Sequence, residues 1–165
     1  MFYGGLIGGL IASRICTGKN KSYSNYIDIV AASIPLFHFF GRIGCFLGGC
    51  CFGIESHFGF TFLHSPIEEA NGVSRFPVQL TEAVFNLGLF FLLNCFLQNN
   101  KFKNRLVYVY LLIYPTGRFL LEFLRGDEYW GMWSFLSTSQ IISIFIFSFA
   151  LFRLHSRRKE RQRLS

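Results

Sequence analysis

Hydrophobic residues along this chain are gathered into long blocks rather than spread at surface-helix spacing. Five apolar segments are read at 1–16, 27–48, 79–97, 106–124 and 135–153. A membrane-crossing helix needs about 20 residues of this kind, so the last four are long enough and the first is short and rich in glycine. Pro35 and the glycines from Gly41 onward are expected to break the second segment. The 49–78 stretch is the longest polar interval, punctuated by Gly53, Gly59, Pro66, Asn71-Gly72 and Pro77. It reads as an outer loop, with a short strand over its Phe-Gly-Phe-Thr-Phe run.

Composition supports a membrane protein. Of the 165 residues, 52% are hydrophobic and only 15% charged, and the mean hydropathy is +0.38. A soluble domain of this length carries more charge. The expected fold class is all-α, a polytopic transmembrane helix bundle with a small extracytoplasmic loop cap. The bundle takes up 1–153, and 154–165 forms a basic cytoplasmic tail.

Basic residues then give an orientation. The 14–25 linker holds Arg14, Lys19 and Lys21, and the 98–105 linker holds Lys101, Lys103 and Arg105. Six more follow Phe152, whereas the 49–78 and 125–134 loops hold only Arg75 and Arg125. Cytoplasmic connections carry the excess of Lys and Arg, so five spans run from an outer N-terminus to an inner C-terminus. Beside a hydrophobic helix, the tail reads as an anchor to anionic membrane lipid and not as a nucleic-acid-binding element.

Two arginines, Arg42 and Arg118, remain inside apolar segments. A cation at membrane depth costs roughly 2.5–3.5 kcal/mol on insertion scales and is kept with a partner or a task. On a helix, Arg118, Glu122 and Arg125 share one face. This is either an intrahelical ion pair that makes a polar residue tolerable or a cationic pocket held by Glu122. Arginine suits phosphate because its planar fork donates two parallel hydrogen bonds. Two arginines reaching one leaflet, each preceded by glycine, favour a phosphate diester site. Gly44-xxx-Gly48 and Gly49-xxx-Gly53 have the spacing at which helices approach closely. Gln79 and Glu82 open the third segment, where they are expected to satisfy free N–H groups. The alternative for Glu82 is to pair with an arginine across the bundle. His38 is expected to be a helix-facing polar partner.

Cys45, Cys50 and Cys51 fit no common zinc spacing, and they are read as small buried apolar residues, with no metal expected. A redox pair is the alternative reading. An odd total of five cysteines argues against a secreted disulfide framework.

Taken together, these motifs resemble the prolipoprotein diacylglyceryl transferase family. Tyr3-Gly-Gly-Leu-Ile-Gly is similar to the family's His-Gly-Gly-Leu-Ile-Gly. Gly41-Arg-Ile-Gly-Cys-Phe-Leu-Gly-Gly-Cys-Cys-Phe-Gly53 is similar to its Gly-Arg-Ile-Gly-Asn-Phe-Ile-Asn-Gly-Glu-x-x-Gly signature. Arg75-Phe-Pro-Val-Gln-Leu-Thr-Glu82 resembles Arg-His-Pro-x-Gln-Leu-Tyr-Glu. Gly117-Arg-Phe-Leu-Leu-Glu-Phe-Leu-Arg125 resembles Phe-Arg-Phe-x-x-Glu-Phe-x-Arg, and Leu136-Ser-Thr-Ser-Gln-Ile resembles Leu-Ser-Met-Gly-Gln-Ile.

The resemblance implies transfer of a diacylglyceryl group from phosphatidylglycerol to the lipobox cysteine of a prolipoprotein, in the bacterial cytoplasmic membrane, with no cofactor or metal. By position it implies Arg42, Arg118 and Glu122 as catalytic residues. Gly53, Arg125, Gln79, Glu82, Tyr3, Cys45 and Cys50 are the implied substrate-binding residues. The chain departs from the pattern at Tyr3 for His, Cys45 for Asn, Cys50 for Glu, Phe76 for His and Thr81 for Tyr. The family also carries about two further spans ahead of the first motif. A non-catalytic lipid-binding paralogue and a thiol-dependent membrane oxidoreductase are the alternative functions.

Overall fold

A computed structural model of the chain describes Gly8 and residues 23–126, 132–133 and 136–163. Four helices dominate: α1 (Tyr23–Leu47), α2 (Val78–Gln98), α3 (Leu106–Glu122) and α4 (Thr138–Arg163). Between α1 and α2 lie β1 (Glu55–Thr61), a 3-10 turn (Glu68–Ala70) and β2 (Ser74–Arg75). A second two-stranded ladder joins β3 (Met132–Trp133) to β4 (Leu136–Ser137) just ahead of α4. Apart from Gly8, the 1–16 segment lies outside the described residues.

Three stretches, Tyr26–Leu47, Val78–Gln98 and Thr138–Ser156, are long and apolar enough to cross a membrane. α3 is shorter, at 17 residues. The distribution of side chains is that of a lipid-facing bundle. Phe37 and Phe145 are each 72% exposed, and Phe40, Phe91, Leu120, Phe149 and Phe152 also point outward. So much exposed aromatic surface on a soluble protein would drive association; against acyl chains it is at home.

The inward faces carry polar and charged side chains among apolar ones. On α1 the buried positions are Asp28, Ala31, Ala32, Pro35 and His38; on α2 they include Gln79, Glu82, Ala83, Asn86, Leu89 and Leu93; on α3, Leu106, Tyr110, Tyr114 and Arg118. Steps of three and four place each set on one helix face. One end of the bundle closes on an apolar cluster of Ala32, Leu89, Leu93, Leu106, Tyr110 and Tyr114. Toward the other end the same faces turn ionic.

Helix α1 is continuous through Pro35 and Gly41 to Leu47, where the sequence predicted a break. Proline is accepted inside membrane helices because neighbouring groups and small local adjustments satisfy the freed carbonyl. The small-residue spacings do not bring helices together. A Cβ on Gly41 or Gly44 would meet nothing within 4 Å, and Gly49 and Gly53 lie beyond the end of α1. The close helix contact is at Gly117 instead. A Cβ there would come within 2.2 Å of the Phe85 ring, so α3 rides directly on α2.

The α2–α3 link turns through three non-glycine residues at positive φ, Asn100, Phe102 and Asn104. Asp28 on α1 fastens it. Its carboxylate accepts from the Asn104 N–H and, at 3.0 Å, from the Leu106 N–H. A carboxylate from one helix thus satisfies donors at the start of another, where the helix dipole favours negative charge.

The loop between α1 and α2 is folded into a cap. β1 and β2 pair antiparallel, Thr61 with Ser74 and Glu55 with Arg75, with an irregularity between Glu55 and Phe60. Arg75 is its interior strut. It donates to the Glu69 carbonyl at 2.6 Å, and its guanidinium lies 4.3 Å from the centre of the Phe52 ring.

Candidate functional site: an arginine–glutamate relay facing a cavity

Five charged side chains from three segments meet at the end of the bundle nearest the cap. Arg42, in the last turns of α1, places Nη2 2.9 Å from Oε1 of Glu82. Glu82 reaches Arg118 with its other oxygen, Oε2 to Nη1 at 3.7 Å. Arg118 Nη2 lies 2.8 Å from Oε2 of Glu122, which is in turn 3.7 Å from Nη1 of Arg125. The order is therefore cation, anion, cation, anion, cation.

Three guanidinium groups against two carboxylates leave one positive charge in excess across the array. Glu82 and Arg118 are buried, at 4% and 7% side-chain exposure. Isolated charges so placed would be costly, and alternation is what makes the arrangement tenable. Ser137, just ahead of α4, donates from Oγ to Oε1 of Glu122 at 2.9 Å. That bond fixes the carboxylate that orients Arg118 and Arg125.

A cavity of about 560 Å³ opens against this array. Arg42, Arg118, Arg125 and Glu122 line it, with His38, Tyr114, Cys45 and Cys51. Phe37 and Ile142 supply apolar wall. The His38 and Tyr114 rings sit 4.8 Å apart, and Tyr110 stacks behind Tyr114 at 5.4 Å. Cations on one wall and apolar surface on another suit a molecule with an anionic head and a hydrocarbon body.

The sequence-predicted residues divide into three groups. Arg42, Arg118, Glu122, Arg125 and Cys45 do line the cavity. Glu82 stands behind the arginines as their common counter-ion, and it does not cap α2; the α2 N-cap carries no side-chain hydrogen bond. Gln79 donates from Nε2 to the Cys50 carbonyl at 2.9 Å, so it holds the loop after α1 against α2. Both side chains are drawn from the helix start by stronger partners across the interface. Tyr3 lies outside the described residues.

Gly53 is a backbone tie. It bridges antiparallel to Arg125, with Ile54 N–H donating to the Leu124 carbonyl at 3.0 Å and Gly126 N–H to the Phe52 carbonyl at 3.1 Å. A Cβ on Gly53 would lie 2.3 Å from the Phe76 carbonyl oxygen. The close approach of three backbones requires glycine there.

The cysteines are not core residues. Cys45, Cys50 and Cys51 are half-buried, Cys95 is exposed, and all four are free thiols. The first three converge, with every Sγ within 4.8 Å of the others. Burial, and then a hydrogen bond with Cys45, pushes the Cys50 thiol up to about 12. Ser137, His38 and Tyr114 were not singled out as site residues by sequence. Ser137 lay within a recognised motif, and Tyr114 stands four residues before Arg118, a helix-face signal that would have found it.

Comparison with known sequences agrees with this geometry. The profile of the family described as "Prolipoprotein diacylglyceryl transferase" matches residues 1–155. The chain is similar to phosphatidylglycerol–prolipoprotein diacylglyceryl transferase 2 of Clostridium perfringens, 40% identical over 149 residues, which are 88% of this chain and 57% of that protein. It is 38% identical over 155 residues to the Clostridium tetani phosphatidylglycerol–prolipoprotein diacylglyceryl transferase, covering 92% of this chain and 61% of that one. With the enzyme of that name from Clostridioides difficile the identity is 36% over 143 residues, 86% and 54% of the two chains. The chain thus spans little more than half the length of these relatives. With the family profile matched over nearly its whole length, the chain belongs to the prolipoprotein diacylglyceryl transferase family.

Proposed function

We propose that the protein transfers a diacylglyceryl group from phosphatidylglycerol to the lipobox cysteine thiol of a prolipoprotein. The observation that carries this reading is the array Arg42–Glu82–Arg118–Glu122–Arg125, with its one excess positive charge beside an amphiphilic cavity. A phosphodiester bears one negative charge, which that excess matches.

In the reaction the substrate sulfur attacks a glycerol carbon. The carbon–oxygen bond to phosphate breaks, its electron pair goes to the phosphate oxygen, and glycerol phosphate leaves with the proton that the thiol gives up. Negative charge builds on phosphate in the transition state. Arg42 and Arg118 are its stabilisers, held in place before the reaction so that no reorganisation is needed as the charge develops. Glu122 orients Arg118, Arg125 contacts the headgroup, and Glu82 and Gln79 set the frame. The nucleophile belongs to the substrate, so none of the protein's own thiols is consumed.

The distribution of basic residues supports an outer N-terminus and an inner C-terminus in the bacterial cytoplasmic membrane, which puts the cavity near the outer leaflet, where secreted lipobox peptides emerge.

The test is product formation. Membranes containing the protein, given a lipobox peptide and phosphatidylglycerol, should yield a thioether-linked diacylglyceryl peptide by mass spectrometry, and Arg118→Ala should abolish it. Full activity in Arg118→Ala would overturn the assigned role. Saturable phosphatidylglycerol binding without product would indicate a lipid-binding paralogue instead.

A further inference from the structure

We propose that Cys45, Cys50 and Cys51 form a zinc(II) site in the cavity wall, with three thiolate ligands and a fourth position that accepts a substrate thiol. The three Sγ atoms all lie within 4.8 Å of one another. With zinc–sulfur bonds of about 2.3 Å, tetrahedral geometry sets sulfur–sulfur separations of about 3.8 Å, so the thiols need to close by no more than about an ångström.

The backbone is built to make them converge. Cys45 is on the last turns of α1, and the chain then reverses through Gly49 at φ 65° and Cys51 at φ 55°. A non-glycine residue in the left-handed region is uncommon, and it is held here while the Cys50 N–H donates to the Cys45 carbonyl at 3.1 Å. The Gln79 bond to the Cys50 carbonyl pins the turn from α2. Thiols that served only as packing would be buried; these are half-buried, and Cys45 and Cys51 line the cavity.

Charge selects the ion. Three thiolates with zinc(II) carry one net negative charge; with copper(I) they carry two. Arg42 lies within electrostatic reach of Cys45 and Cys51, and the relay holds one positive charge in excess. Of the two ions, zinc adds the smaller negative charge beside the arginines that the phosphodiester also needs.

Three protein ligands and one open position are the pattern of zinc sites that do chemistry. A thiol is a natural fourth ligand. Binding there as the thiolate, it gives its proton to solvent, from which the departing phosphate takes one, and holds its sulfur beside Arg42. This role rests on the transfer reading; the ion site itself does not.

Metal binding to the reduced chain in detergent tests the proposal. Stoichiometric zinc should survive desalting, and cobalt(II) in its place should give intense sulfur-to-metal charge-transfer absorption. Both should be lost in the triple Cys→Ser variant and kept in Cys95→Ser. A cysteine-containing lipobox peptide should shift the cobalt spectrum, and its serine counterpart should not. A measurement on the unmodified chain guards against a misfolded variant: zinc should protect Cys45 and Cys51 from iodoacetamide and leave Cys95 reactive. Zinc that washes off, unprotected thiols, or equal binding in the triple variant would overturn the site. Bound zinc with no response to the cysteine peptide would overturn the open position. A retained site with a cysteine-peptide response but no thioether product would count against the transfer reading alone.

Discussion

Arg42 and Glu82, forty residues apart on different helices, meet at 2.9 Å with the carboxylate almost wholly buried. That contact joins the glycine-rich signature to the start of α2, and Glu82 extends the join to Arg118. Replacing Glu82 with alanine leaves two guanidinium groups facing each other with their shared counter-ion removed. Breaking a buried ion pair costs about 3–5 kcal/mol. The thermal unfolding midpoint in detergent should fall sharply, and transfer activity should fall with it. Glu82→Asp, which restores the charge but not the reach, should recover part of the stability.

Gly117→Ala should push α3 away from α2, because the added Cβ meets the Phe85 ring. Overpacking of this kind costs about 1–3 kcal/mol. Phe85→Leu should relieve it, so a double-mutant cycle should show strong coupling. Additive effects would mean the two helices do not share that contact.

Gly53→Ala meets a harder obstacle, since the Cβ would strike the Phe76 and Leu124 carbonyls. Backbone cannot rotate aside as a ring can. The expected outcome is faster amide exchange at Ile54 and Gly126, whose N–H groups form the tie, and loss of activity with the helices intact. Hydrogen–deuterium exchange mass spectrometry measures it directly.

Much of the site was legible from residue type and spacing. Arg118, Glu122 and Arg125 share one helix face, and two charges in apolar segments announce themselves by their cost. Gln79 and Glu82 were visible too, but their partners were not. Helix-start position pointed Gln79 and Glu82 toward local N–H groups, whereas across the interface a carbonyl and two guanidinium groups compete for them and win. The glycine spacings misled for a related reason. The pattern records where backbone can come close, and only the end of α1 decides that Gly49 and Gly53 serve a turn and a tie. Convergence of the three thiols depends on two positive φ angles, which no ligand spacing encodes.

Asp28 was not singled out by sequence, since a lone acid at the start of an apolar segment names no partner. Its removal as Asp28→Ala should strand the Asn104 and Leu106 N–H groups, at about 1–3 kcal/mol for buried donors left unsatisfied. The loss should appear in thermal unfolding, and lipid binding at the distant arginine cavity should be spared in the fraction that stays folded.

Cys50 gives a pH prediction for the reduced, metal-free chain. With its thiol pushed up to about 12 by burial and the Cys45 hydrogen bond, against an ordinary value of 9.0, the folded protein keeps this proton longer than the unfolded one. Its contribution to stability is therefore whole below pH 9.0 and is lost as pH rises toward 12. Alkylation of Cys50 should therefore be slow near neutral pH and still accelerating above the ordinary thiol range. A rate that levels off near pH 9 would contradict the burial seen around Cys50.

The tie between residues 52–54 and 124–126 has a bearing on how such a site diverges. It is made of main-chain hydrogen bonds and requires glycine at Gly53 and Gly126, where a Cβ would strike backbone. The relative placement of the signature and the end of α3 is in that measure indifferent to the side chains hung on the loop between Cys45 and Cys51. A lineage can thus place sulfur at the cavity wall, as at Cys45 and Cys51, and still keep its arginines in register. Such a frame lets new chemistry enter one part of a pocket while the arginines beside it stay fixed.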